Sequence, residues 1–333
     1  MTTEPAAVAE AQRSPLALPF FQRPMTATEP TVSGSPRDRL ECGSAVRSQA
    51  ADYWSLTKPD VNFLIAITTF AGFWLALPSG TSSFPWTRLI STLLGTLLVA
   101  AGTGTLNQYI ERRFDAQMRR TARRPLAAGR LEPAAVLRFG IVLSGAGAIY
   151  LAVAVNALAS MLAVFTLASY LFVYTPLKRK SPLCTLAGAF PGAMPPLIGW
   201  AAASGRLSLG AWVLYGIVFL WQFPHFMAIA WMYREDYARA GYLVLPFGER
   251  RGPFMAWQSL APALLLIPLS LTPTFLSHAG LIYLIEALVL SSGFVFYAAR
   301  LVMLRSNAVA RRLLLASIIY LPALFALMVI DKV

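Results

Sequence analysis

Charge is scarce in this chain. Asp, Glu, Lys and Arg make up 13% of its 333 residues, where a soluble domain carries about 25%. Hydrophobic residues make up 57%, and mean hydropathy is +0.59. Those values exclude an ordinary soluble enzyme. Cysteine is nearly absent: Cys42 and Cys184 form neither a CxxC pair nor a metal-ligand spacing, which excludes a disulfide framework. Cys184 falls in an apolar run and reads as a small packing residue. The apolar runs also lack the strict alternation of a barrel strand, and lipid tolerates no unpaired backbone, so the spans must be helices. Acids are the scarcer charge, 15 against 28 Lys and Arg, for a net +13. That excess is not a nucleic-acid footprint, because its placement follows the apolar runs.

What is present is a series of about nine runs near the roughly 20 residues needed to span a bilayer. They fall at 61–78, 87–107, 136–154, 157–174, 184–203, 208–232, 254–273, 279–299 and 312–330. Basic residues crowd the even connections between them. The second holds Arg112, Arg113, Arg119, Arg120, Arg123, Arg124 and Arg130; the fourth holds Lys178, Arg179 and Lys180. The sixth holds Arg234, Arg239, Arg250 and Arg251, and the eighth Arg300, Arg305, Arg311 and Arg312. The odd connections hold only Arg206. The positive-inside rule therefore makes the even connections and the amino terminus cytoplasmic. Residues 1–50, rich in Ala, Pro, Ser and Thr, read as a disordered cytoplasmic extension, and 51–333 as the intramembrane domain. The extension lacks the apolar stretch of a signal peptide, and its acids argue against an organellar presequence. Tyr53, Trp54 and Lys58 suit the cytoplasmic membrane interface.

The second connection carries the strongest chemical signal, Asn107-Gln-Tyr-Ile-Glu111-Arg-Arg-Phe-Asp115, running on to Arg120 and Arg124. Residues four apart share one helix face, so Asn107, Glu111 and Asp115 form a ladder. Acids at a membrane face need a cationic partner. Hard oxygen ligands suit Mg²⁺, and arginines suit phosphate. Together they suggest a lipid diphosphate substrate. In the fourth connection Lys178 and Arg179 serve either as phosphate contacts or as topology anchors. The Gly- and Pro-rich stretch 188–200 predicts a broken or closely packed helix. In the sixth, Glu235 and Asp236 either complete a metal–diphosphate site or pair with Arg234 and Arg239. His225 lies inside a span beside Pro224, as a functional group or as a hydrogen-bonded packing residue.

Several elements together resemble the UbiA-type intramembrane prenyltransferases, in particular a haem-farnesylating branch. They are the acidic ladder; Leu56-Thr-Lys58-Pro59; Met118-x-Arg120-Thr121-x-x-Arg124-Pro125; and Tyr174-Thr-x-Leu-Lys178-Arg179. They continue with Gly192-Ala-Met-Pro195-Pro196-x-x-Gly199-Trp200, Trp221-Gln-x-Pro224-His225-Phe226 and Asp236-Tyr-x-x-Ala240-Gly241. They cover about 55–246. The second acidic element here is Glu235-Asp236 rather than the spaced Asp pair of the wider family.

The resemblance implies an all-α polytopic bundle of about nine membrane helices around a central cavity, capped on the cytoplasmic side. It implies transfer of farnesyl from farnesyl diphosphate to a vinyl group of haem B, with Mg²⁺ as cofactor. Asn107, Glu111, Asp115 and Asp236 would be catalytic. The metal would fall to Asn107, Glu111, Asp115, Glu235 and Asp236, and substrate to Arg120, Arg124, Tyr174, Lys178, Arg179 and His225. A bacterial inner membrane is the expected location, and a haem A synthase or an oxidase assembly factor the expected protein partner. A quinone-precursor or chlorophyll-type acceptor would use the same diphosphate site. A cation-coupled transporter would need charges continuing to the outer face, and those are missing.

Overall fold

The structure is a computed structural model. It describes residues 49–78, 83–246 and 248–333, all within one unit, Ala45–Val333. The expected extension lies outside the described residues except for Gln49 and Ala50, and so does Cys42. Among the described residues there are helices and turns but no strand. The long helices are α1 Pro59–Ala76, α2 Trp86–Asp115, α3 Pro133–Ala154 and α4 Ala157–Ala168. After α4 come a π-helical turn, Ser169–Tyr174, and a short helical turn, Thr175–Leu177. Then follow α5 Cys184–Gly192, α6 Pro195–Ser204, α7 Leu209–Met232, the short α8 Arg234–Arg239, α9 Arg251–Phe275, α10 Leu281–Leu304 and α11 Asn307–Ile330.

Local chemistry sets the boundaries. Pro59, Pro133 and Pro195 open α1, α3 and α6, where the missing N–H costs nothing. Asn156 and Ser306 cap α4 and α11 by accepting from Ala159 N and Val309 N. The π turn ends just before Pro176, which removes one backbone donor and so disfavours the regular α ladder there.

Eight helices among the described residues are long and apolar enough to cross a membrane. The remaining expected span, 184–203, consists of α5 and α6, broken at Ala193–Met194 ahead of the Pro195-Pro196 pair. Small residues bring the helices together. A side chain at Gly72 would strike the Pro196 carbonyl, and one at Gly199 would strike the Thr69 carbonyl, so α1 and α6 meet backbone to backbone. Gly147 does the same for α3 against α2, where a side chain would strike the Gly95 carbonyl, while Gly140 makes room for the Leu106 side chain.

Successive connections alternate between two ends. At one end gather Lys58, the 116–132 loop, residues 178–183, and α8 with the segment after it. Leu243 N bonding Lys178 O at 2.8 Å ties the last two together. At the other end, Lys332 Nζ donates to the Trp74 and Leu77 carbonyls at the end of α1. There the Gly280 and Tyr283 amides bond Asp331. The crowded basic connections therefore share a single end, and the plain ones share the other.

Candidate active site

The last two turns of α2 form the floor of the site at the basic end. Asn107, Glu111 and Asp115 are all buried, at 2, 5 and 2% exposure. A carboxylate this dry is costly without a counter-charge, and each has one. Lys178 Nζ donates to Glu111 Oε1 at 2.8 Å, and Arg124 donates to Asp115 Oδ2 at 2.8 Å. Lys58 Nζ donates to Asn107 Oδ1 at 3.2 Å, while the Asn107 amide donates to Thr175 Oγ1. The π turn delivers Tyr174, Thr175 and Lys178 to the ladder; the Tyr174 ring lies under the Lys178 ammonium at 4.5 Å. Gly188 of α5 leaves the room that this ring fills.

Lys58, read from sequence as an interfacial anchor, belongs to the site. It adopts a left-handed backbone, φ 53 and ψ 64, at the start of α1. Such strain in a non-glycine residue costs about 1–3 kcal/mol and collects at functional positions. Burial, then the nearby charges of Arg124 and Lys178, push its ammonium down to about 7. Burial also opposes the Lys178 ammonium, but Tyr174, Glu111 and Tyr170 around it hold it well above the usual lysine range. Tyr242, also missed, is buried beside Glu111. Burial and that carboxylate push its phenol far up, and it makes no hydrogen bond of ordinary geometry. Three cations, Lys58, Lys178 and Arg124, thus surround two carboxylates. The surplus is positive, as a diphosphate requires.

Among the buried carboxylate oxygens of the ladder, Asp115 Oδ1 has no hydrogen-bond partner. An orphaned carboxylate oxygen in a dry ladder is where a hard cation fits. Among the described residues no three His, Cys, Asp or Glu side chains cluster as a metal cage. Two carboxylates and the Asn107 amide oxygen are instead the sparse donor set that Mg²⁺ uses when phosphates supply the rest.

The second acidic element is placed differently. Asp236 Oδ2 accepts from the Arg120 amide at 3.0 Å, and Oδ1 accepts from Arg239 at 3.0 Å. Desolvation would raise this carboxyl, but the Arg120 and Arg119 amides and Arg239 hold it below the usual range. Both its oxygens are engaged in holding the arginine loop, so a metal there would have to displace one of these donors. The Glu235 side chain is 77% exposed and reaches Arg234 at 3.7 Å. Arg120 packs over Tyr233 and Arg179 over Phe114, at 4.9 and 4.4 Å. A shallow pocket beside them is lined by Arg234, Tyr237, Tyr242 and Arg251. His225 sits deeper on α7, with Nδ1 2.8 Å from Ser317 Oγ.

This arrangement has relatives. The model of the UbiA prenyltransferase family matches residues 65–321, and the chain belongs to that family. It is a polytopic membrane enzyme, a prenyltransferase. Over 84% of its length it is 46% identical to the Protoheme IX farnesyltransferase of Solibacter usitatus (strain Ellin6076), covering 98% of that protein. The fold matches a digeranylgeranylglyceryl phosphate synthase structure with a TM-score of 0.68 at 17% identity, covering 85% of this chain and 98% of that one. It also matches a UbiA homologue from Archaeoglobus fulgidus bound to GPP and Mg²⁺, with a TM-score of 0.55 at 18% identity over 83% of this chain and 99% of that one.

Proposed function

We propose that this enzyme transfers a farnesyl group from farnesyl diphosphate to a vinyl group of haem B, giving haem O and diphosphate. The observation that carries the reaction class is the buried ladder with its three cations. The acceptor rests on the relatives that cover nearly their whole length.

In this reading Asn107, Glu111 and Asp115 would hold Mg²⁺, with the substrate's diphosphate supplying further oxygens. The ion would stabilise negative charge growing on the leaving group. The chain's own cations do the same work. Lys58, Lys178 and Arg124 turn from the ladder toward diphosphate oxygens as substrate arrives, with Arg120 and Arg179 on the rim. The bond between the allylic carbon and the diphosphate oxygen breaks, and its electron pair leaves with the diphosphate. The vinyl π electrons then form the new carbon–carbon bond. Water adds to the resulting cation and loses a proton, giving the hydroxyl. Fixed charges aimed at the leaving group need no reorganisation during reaction, which makes them the largest expected contribution. The Tyr174 and Tyr242 rings, whose faces lie 4.5 and 6.0 Å from the Lys178 ammonium, suit a passing allylic cation. Asp236 acts by fixing the backbone of Arg120.

The basic end faces the cytoplasm of a bacterial cell in this reading, with the enzyme in the inner membrane and the amino terminus inside. The product suits a haem A synthase or an oxidase assembly factor as downstream partner. Purified enzyme given labelled farnesyl diphosphate and a panel of acceptors tests the proposal. Haem B should be prenylated, and quinone-precursor rings and chlorophyll-type alcohols should not. Prenylation of one of those in place of haem B overturns it.

A further inference from the structure

One ionisable group lies apart from the diphosphate site. His225 is on the α7 face turned to α11, where Ser317 and Trp221 hold it. Its Nδ1 is 2.8 Å from Ser317 Oγ. Its ring stacks on Trp221, with centroids 4.8 Å apart and planes 26° apart. The Trp221 indole N–H donates in turn to the Ser317 carbonyl at 2.9 Å. Trp221 and Ser317 are buried, at 4 and 0% exposure.

The hydrogen bonds around Ser317 determine which ring nitrogen carries the proton. A serine hydroxyl has one hydrogen and two acceptor sites. Ser317 Oγ lies 2.6 Å from the Leu314 carbonyl, a group that can only accept, so the hydroxyl hydrogen is spent there. Toward His225 the oxygen must accept, which places the proton of the neutral ring on Nδ1. Nε2 is left with a lone pair and no hydrogen-bond partner among the described residues. Histidines that bind metals are held in this way: the far N–H is anchored, which fixes the tautomer and the ring plane and raises the basicity of the ligating nitrogen.

The α7 segment that bears His225 is also linked to the diphosphate site. Gln222, three residues before His225, donates to the Ala189 carbonyl of α5. Its neighbour Gly188 is the residue against which the Tyr174 ring packs, and Tyr174 lies under Lys178. A short run of contacts thus joins the α7 segment bearing His225 to the diphosphate site.

We propose that Ser317 is a positioning residue that fixes His225 as the Nδ1–H tautomer, so that Nε2 is offered as an axial ligand to the iron of the haem acceptor. This rests on the acceptor reading above. Iron ligation would hold the macrocycle in one orientation while a vinyl group on its rim meets the farnesyl chain.

The test uses the full chain in lipid nanodiscs, titrated with ferric protohaem IX and followed by absorbance and electron paramagnetic resonance. Wild type should show a nitrogen-ligated haem spectrum. His225→Ala should lose that spectrum, keep farnesyl diphosphate binding, and regain the nitrogen-ligated spectrum when imidazole is added. Ser317→Thr keeps the hydroxyl, and Ser317→Val has nearly the same shape without it. The valine variant should bind haem about 10- to 100-fold more weakly, as loss of such an anchoring partner does elsewhere. The threonine variant should keep most of the affinity and the wild-type spectrum. Melting curves and diphosphate binding on each variant separate this from misfolding. An unchanged spectrum in His225→Ala, in an enzyme whose wild type makes haem O, overturns iron ligation and leaves the acceptor reading standing. Equal affinity and spectra for the valine and threonine variants overturn the role of Ser317. A wild type that binds farnesyl diphosphate but neither binds nor alkylates haem refutes the acceptor reading and this proposal with it.

Discussion

Lys178→Met tests the electrostatics of the ladder. Lys178 Nζ is 2.8 Å from Glu111 Oε1, with side-chain exposures of 13 and 7%. Removing one member of such a pair strands the other charge in a dry site, which costs about 3–5 kcal/mol. Lys58 is also close enough to lower the Glu111 charge's cost, which places the expected loss near the bottom of that range. The double variant Glu111→Gln/Lys178→Met removes both charges and keeps both shapes, so it should recover most of the stability. It should not recover activity, because the site then lacks a ligand and a phosphate contact. Thermal unfolding in detergent, run beside a transfer assay, reads both quantities. If Lys178→Met melts with wild type, or the double variant is no more stable than the single, the pair is not a buried counter-charge and the argument fails.

Three further outcomes follow from the same geometry. Asp115→Ala should lower turnover about a hundredfold or more while the protein still folds, because a ligand beside the leaving group is lost; normal haem O formation at limiting Mg²⁺ would remove Asp115 from the site. Arg124→Ala should weaken farnesyl diphosphate binding by about 1.5–3 kcal/mol, with partial rescue by Lys, which lacks the planar fork; equal weakening of haem binding would indicate a structural role instead. Lys58 titrates near 7 in the free enzyme because burial and neighbouring cations disfavour its charge, whereas bound diphosphate favours that charge. Binding therefore takes up a proton, so affinity should be full below about pH 7 and fall as pH rises above it, by up to tenfold per unit. Lys58→Met should bind more weakly and lose that slope, as calorimetry in buffers of different ionisation heat would show.

The ladder was legible because four-residue spacing on a helix is a local property, and its arginines follow within ten residues. Its partners were only half legible. Lys178 was open between anchor and phosphate contact, and only the fold brings it across from the fourth connection to Glu111. Lys58 looked like an anchor, since nothing in the residue order shows the left-handed turn that places its ammonium at Asn107. The signal was its position immediately before Pro59, where a helix must begin. The break between α5 and α6 was readable from the Gly and Pro density at 188–200. For Asp236 the sequence left two uses open, metal ligand and partner of a nearby arginine; its bonds to the Arg120 amide and Arg239 depend on the fold and are not visible in charge type alone. Residues 254–333 offer few polar signals in the sequence. Ser317 shows the consequence: a lone serine in an apolar run gives no sign that a histidine 92 positions earlier meets it.

The central claim is that the α2 ladder and its cations activate a prenyl diphosphate for transfer to haem. The most direct measurement is product formation by the purified full chain with farnesyl diphosphate and haem B, with Mg²⁺ present or chelated, analysed by mass spectrometry. The account predicts haem O and diphosphate in equal amounts, formed only with Mg²⁺ and not by Asp115→Ala. Haem O formed at the full rate by Asp115→Ala, or haem B recovered unchanged from wild type with Mg²⁺ present, would contradict it.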